Sequence, residues 1–133
     1  MELSATELRI GNHVYNNYEK FITIRGLILN ECFSDISGYS YEEIEPIPLS
    51  EEWLLRFGFE NFSDWQIALD DPSRFLVIMH VTHSGDEFYP VLEQCGEVSS
   101  ERKQIFHLNR IQYVHQLQNL YFALTGTELT IKP

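Results

Sequence analysis

Between Ile111 and Leu124 the chain carries no Asp, Glu, Lys or Arg, while Tyr113, Val114, Leu117, Leu120, Tyr121 and Leu124 recur at three- and four-residue spacing. That period is helical and sets the six apolar side chains along one stripe. Asn109 can cap the start and Gly126 the end, which predicts a C-terminal amphipathic helix over 109–125. Its opposite face holds Gln112, His115, Gln116, Gln118 and Asn119. Helices that face water ordinarily carry charge on that side. An uncharged amide face beside Phe122 therefore implies burial on a second side, in the fold or in a homodimer. His115, Gln118, Asn119 and Phe122 are the candidate self-association residues.

Upstream the period changes to two. Leu8-Arg9-Ile10-Gly11-Asn12 reads as a short strand ending in a Gly-Asn turn. His13-Val14-Tyr15, then Asn16-Asn17, then Tyr18 to Leu29 reads as a hairpin, with Ile22 and Ile24 on one face. Gly26 marks a bend. Ser37-Gly38 reads as a loop, and Tyr41-Glu42-Glu43-Ile44 as a further strand. An N-terminal antiparallel β-meander follows, with a barrel-like closure as one arrangement. Pro46-Ile47-Pro48 is extended, because each proline biases its predecessor away from the α region. A short central helix comes next, capped by Ser50, with Glu51 and Glu52 at its positive end and Gly58 beyond its last turn. Trp53, Leu54 and Phe57 share its apolar face.

Further antiparallel strands are expected over Trp65 to Leu69, Arg74 to Val81, Phe88 to Glu93 and Lys103 to Leu108. Asp70-Asp71-Pro72-Ser73 and Ser84-Gly85-Asp86 supply turns, and 96–102 a polar loop. Pro90 places its strand at a sheet edge. The fold class is α+β, and 133 residues fit one domain spanning 1–133.

Charge restricts the partners. Residues 1–30 balance, 31–64 carry nine acids against Arg56, 65–97 add a further five net negative charges, and 98–133 return two positive ones, for a total of −11. Such a field repels phosphate backbones, so direct binding to nucleic acid or to an anionic membrane is disfavoured. No apolar run approaches the roughly 20 residues of a membrane span. MELSATELRI lacks a basic stretch followed by an apolar one, so no secretory leader is expected and the cytoplasm is the expected address.

Chemistry-bearing residues are present without a familiar arrangement. His80, His83 and Asp86 raise a metal reading, but residues three apart on a strand face opposite sides, and no spacing supplies a third or fourth ligand. Cys95 beside Gly96 could act as a nucleophile with His107 or His115, without a local signature to support it. No phosphate loop, nucleophile elbow or CxxC occurs. Neither catalytic residues, nor a metal, nor a cofactor is therefore assigned. Trp53, Phe57, Phe59, Phe62 and Trp65 crowd thirteen residues, as a helix–sheet core or as a protein-binding surface. Glu42, Glu43, Glu45, Glu51 and Glu52 are the candidate partner-binding carboxylates.

Three stretches resemble an uncharacterised family of small acidic proteins encoded in phages and prophages of bacteroidete bacteria. They are Leu8 to Asn12 (LRIGN), Pro46 to Phe59 (PIPLSEEWLLRFGF) and Tyr113 to Gly126 (YVHQLQNLYFALTG). The resemblance implies a stand-alone protein of the bacterial cytoplasm and carries over no catalytic residue. Charge and resemblance together point to a non-enzymatic protein-binding protein, in its sharper form a phage-encoded inhibitor of a basic host protein. A self-associating accessory or structural protein is the alternative, followed by a small-ligand-binding protein or hydrolase.

Overall fold

The computed structural model describes residues 3, 6–18, 20–28, 31–35, 37–62, 64–69, 76–84, 87–95 and 104–132. The fold is α+β, with eleven strands in antiparallel sheets and two α-helices among the described residues. Among the described residues no sheet closes into a barrel. Among the described residues no helix is long and apolar enough to cross a membrane. The chain forms two compact units, Met1–Pro48 with Tyr113–Leu124, and Leu49–Gln112 with Thr125–Pro133.

Unit 1 holds two three-stranded sheets. In the first, β1 (His13–Tyr15) lies between β2 (Phe21–Thr23) and a later two-residue strand. The expected hairpin is present, but its connection runs over 16–20 rather than closing at Asn16-Asn17. Asn16 accepts from the amides of Tyr18 and Lys20 through Oδ1, and its own amide donates to the Lys20 carbonyl, so one side chain fastens the wider loop. The second sheet is β3 (Gly26–Leu27), β4 (Glu31–Phe33) and β5 (Gly38–Ser40).

Residues 41–43, expected as a strand, instead form a 3-10 turn closed by a capping box between Ser40 and Glu43. The chain then gives β6 (Glu45–Pro46), which pairs with β1. Leu8 to Asn12 is likewise a turn and not a strand. The Asn12 amide donates to the Arg9 carbonyl at 3.0 Å, and Asn12 Oδ1 accepts from the Arg9 amide at 2.7 Å. An Asn side chain that bonds its own backbone competes with the ladder. Leu3, Leu8, Val14, Ile24, Cys32 and Ile44 form the apolar core of this unit.

Unit 2 begins with α1 (Glu51–Arg56). Ser50 Oγ accepts from the Trp53 amide, and Glu51 and Glu52 occupy the first turn, as the sequence predicts. Beyond the helix Gly58 adopts φ +93°. Its amide bonds the Leu55 carbonyl and the Phe59 amide bonds that of Leu54, the two bonds of a Schellman ending. Phe59 and Leu54, both buried, supply the apolar contact that accompanies it. The tail returns to this helix end, where the Lys132 amide donates to the Arg56 carbonyl.

A five-stranded sheet makes up the rest. It comprises β7 (Glu60–Asn61), β8 (Trp65–Leu69), β9 (Leu76–Ser84), β10 (Glu87–Cys95) and β11 (Gln104–His107), side by side in sequence order. Register sets Trp65, Ile67 and Leu69 beside Val81, Met79 and Val77, and Phe88, Pro90 and Leu92 beyond them, on one face. Trp65, Leu69, Met79, Val81 and Phe88 on that face are buried, together with Trp53, Leu54, Phe57 and Phe59. The expected turns at 70–73 and 85–86 and the loop at 96–102 lie outside the described residues.

Two sequence expectations are corrected here. Pro90 sits in β10, which is interior between β9 and β11. The Pro90 carbonyl accepts from the Leu108 amide, and a strand residue points its N and its O to the same side. The missing N–H of Pro90 therefore faces Leu108, just past the end of β11 at His107, so the proline forgoes a single bond at the margin of the ladder. The last helix, α2 (Val114–Thr125), starts at Val114 and not at a cap on Asn109. Ile111 bridges Phe88 and Tyr113 bridges Pro48, which keeps 109–113 extended. Gly126 ends the helix at φ +73°, as expected.

A Cβ at Gly58 would lie 3.0 Å from Lys132 Cγ, whereas one at Gly126 meets nothing within 4 Å. Gly58→Ala should therefore cost about 1–2 kcal/mol, more than Gly126→Ala, when urea midpoints of the two variants are compared.

Candidate functional site

The uncharged face of α2 is consumed inside unit 1. Gln118, 1% exposed, accepts from the His13 amide at 2.8 Å through Oε1 and donates to the Gly11 carbonyl at 2.9 Å through Nε2. Asn119 Oδ1 accepts from Asn12 Nδ2 and from Arg9 Nε, and its Nδ2 donates to the Glu7 carbonyl. The Arg9 guanidinium lies 4.2 Å from the centroid of Phe122, which stays 38% exposed. His115 is buried, stacks on Tyr113, and directs Nε2 at Glu7 Oε1 across 3.1 Å. Burial pushes its imidazole below the ordinary range, and the hydrogen bond and charge of Glu7 oppose that shift. The Nε2–H tautomer satisfies Glu7 and leaves Nδ1 buried without a hydrogen bond. His115 Nδ1 apart, the hydrogen bonds of His115, Gln118 and Asn119 described above are made within one chain, and of the four candidate residues Phe122 is the exposed one.

The candidate carboxylates fall in both units, and all are exposed. Glu42 and Glu43 stand on the 3-10 turn and Glu45 on β6, in unit 1. Glu43 also caps the Ser40 amide at 3.0 Å. Glu51 and Glu52 stand on the first turn of α1, in unit 2. Glu52 pairs with Arg56 at 3.0 Å, and Glu51 lies 3.4 Å from His83 Nδ1.

Unit 2 also presents a half-open cleft of about 320 Å³, lined by Glu51, Asn61, Asp64, Trp65, Val81, Thr82 and His83. It lies where β8 ends and β9 continues. Trp65 is the first residue of β8 and pairs with Val81, while Thr82, His83 and Ser84 pair only with β10 among the described residues. His83 stacks on Phe88 with ring centroids 4.7 Å apart, which holds it beside Glu51. Asn61 and Asp64 flank the turn that carries Phe62, which is 65% exposed. Trp53, Phe57, Phe59 and Trp65 of the aromatic cluster are buried, so Phe62 is its one exposed member.

The opposite face of the sheet carries His80. Its Nδ1 lies 3.1 Å from both Asp64 oxygens, and its Nε2 3.4 Å from Glu93 Oε2. His80 and His83 thus face opposite sides, as strand alternation requires. Among the described residues no group of three His, Cys, Asp or Glu could hold a metal ion. Asp86 and the Cys95 side chain lie outside the described residues. His107 is exposed on β11. Cys32 is fully buried, and burial pushes its thiol up, away from the reactive thiolate.

Sequence reading singles out Glu51, Trp65 and His83, each for a different reason, but misses that they converge with Asn61, Asp64 and Thr82. Their convergence depends on β9 outrunning β8, and no local motif encodes that difference. It also misses Arg9 and Asn12, whose partners lie more than 100 residues away.

Gln118→Met keeps the volume but strands the His13 amide and the Gly11 carbonyl. It should cost about 2–4 kcal/mol in urea unfolding. The depressed imidazole of His115 makes stability fall with acidification. Above about pH 6.5 neither state holds a proton there. Below it the unfolded chain protonates first, and the loss continues until the folded imidazole also protonates. In His115→Gln, the drop in thermal midpoint between about pH 7.5 and 5.5 should be shallower than in the parent.

Compared with protein-family models, with curated proteins and with solved structures, the chain matches none, so the functional reading rests on the chemistry of these surfaces.

Proposed function

We propose that this is a non-enzymatic binding protein that engages a basic partner protein through its surface carboxylates. The observation that carries the reading is that Glu42, Glu43, Glu45, Glu51 and Glu52 are all exposed while standing on short ordered elements. With the backbone already ordered, only side-chain rotamers are left to fix when these carboxylates meet a cation, and a net charge of −11 steers basic partners toward them. Sequence resemblance to phage-encoded acidic proteins supports a sharper form, in which the partner is a host protein whose basic nucleic-acid channel is occupied by carboxylates standing where phosphates would sit.

A tagged pull-down from bacterial lysate, at low and at moderate salt, tests this by mass spectrometry. The expected result is one basic protein recovered in near-stoichiometric amount and lost as salt rises. Replacing all five glutamates by glutamine should weaken its binding by about tenfold or more and flatten the salt dependence. Unchanged affinity, or a lane holding only the bait, would overturn the proposal in favour of self-association or a small ligand.

A further inference from the structure

The cleft of unit 2 combines features that the acidic surface alone lacks. Its walls carry the Glu51 carboxylate and the Asn61 amide, and Trp65 adds an apolar rim, while the Asp64 carboxylate at its base is turned to His80 and Gln66. Its volume of about 320 Å³ sits at the small end for ligand sites, enough for one long side chain. Along one side runs Thr82–Ser84, a strand segment paired on its β10 side only, among the described residues. An unpaired strand edge is a template for an added extended segment.

We infer that this cleft binds an arginine side chain presented by an extended segment of a basic partner, which pairs with the Thr82–Ser84 edge. The inference rests on the proposed function and names the chemistry that one part of its surface recognises. Apolar stem and cationic head match the two kinds of wall, Trp65 for the methylenes, the Glu51 carboxylate and the Asn61 side-chain carbonyl for the head. Arginine fits better than lysine because its planar fork offers five donors to acceptors on separate walls, where an ammonium offers three. The occupant continues the row of β8 past Asp64, which stands opposite Thr82 by register, beside the part of β9 that outruns β8.

The test uses the full isotope-labelled chain and four probes, followed by amide and indole NMR shifts. They are the blocked tripeptide Val-Arg-Val, its lysine and citrulline counterparts, and agmatine as a free cation. Val-Arg-Val should shift the Trp65 indole and the Thr82–Ser84 amides and bind more tightly than the lysine peptide. The citrulline peptide should bind at least about tenfold more weakly. Glu51→Gln should weaken Val-Arg-Val by about threefold to fivefold, and Asn61→Ala, at an exposed position, provides a second variant. Shifts that miss these residues, citrulline equal to arginine, or agmatine equal to the tripeptide would each overturn the inference. The two proposals fail separately. A captured protein that ignores Glu51→Gln and Asn61→Ala but is lost on neutralising Glu42, Glu43 and Glu45 would sink the cleft and leave the binding function standing. Binding of Val-Arg-Val with no protein captured would do the reverse.

Discussion

Unit 1 depends on two amides. Gln118 and Asn119 reach from a late helix to a turn near the start of the chain and satisfy backbone groups that no strand pairs. Three-residue strands cannot enclose a core by themselves, since each buries too little surface and leaves its ends open. The helix supplies what they lack, apolar cover from Val114 and Leu117 and hydrogen bonds from its polar side. Those bonds are worth most because they are buried, where an unmade bond costs more than a made one contributes. The same economy explains Asn12. Fully buried, it ties the turn to itself through Oδ1 and to Asn119 through Nδ2.

Unit 2 works differently. Its sheet is long enough for alternation to sort the two faces, one apolar and closed, the other mixed and led by His80 between Asp64 and Glu93. Functional character follows from this asymmetry. The closed face and α1 fix Trp65, Val81 and His83 in place, and the cleft forms at their margin where pairing on one side has stopped. Rigid strands present polar groups more accurately than loops do.

What was legible in the sequence was what is decided locally. Ser50, the following glutamates and Gly58 specify α1 to the residue, because cap, dipole and left-handed glycine act within a single helix. The long strands were legible because their apolar runs exceed what a turn tolerates. Errors arose where a distant partner decides. Asn109 resembles a cap, but bridges at Ile111 and Tyr113 hold the chain extended past it. Pro90 resembles an edge residue, yet an interior strand accepts it where its neighbour has ended. The uncharged amide face of α2 marks burial on a second side, whereas its partner, the turn at Glu7 to His13, carries no sequence mark of that role. The carboxylates of the proposed surface are plain in composition, but the cleft is a property of register.

The discontinuity of unit 1 bears on how the chain is made. Residues 49–112 separate its strands from its helix. At a synthesis rate of about 5–20 residues per second, that interval lasts about 3–13 s. Throughout it the nascent meander has no access to Gln118 or Asn119, and the amide of His13 lacks the acceptor it has in the folded chain. Unit 2 has its sheet complete earlier and lacks just the tail that meets Arg56. The turn at Glu7 to His13 is therefore made well before the helix that supplies its amide partners, whereas the apolar core of Leu3 to Ile44 has all its members within the first stretch.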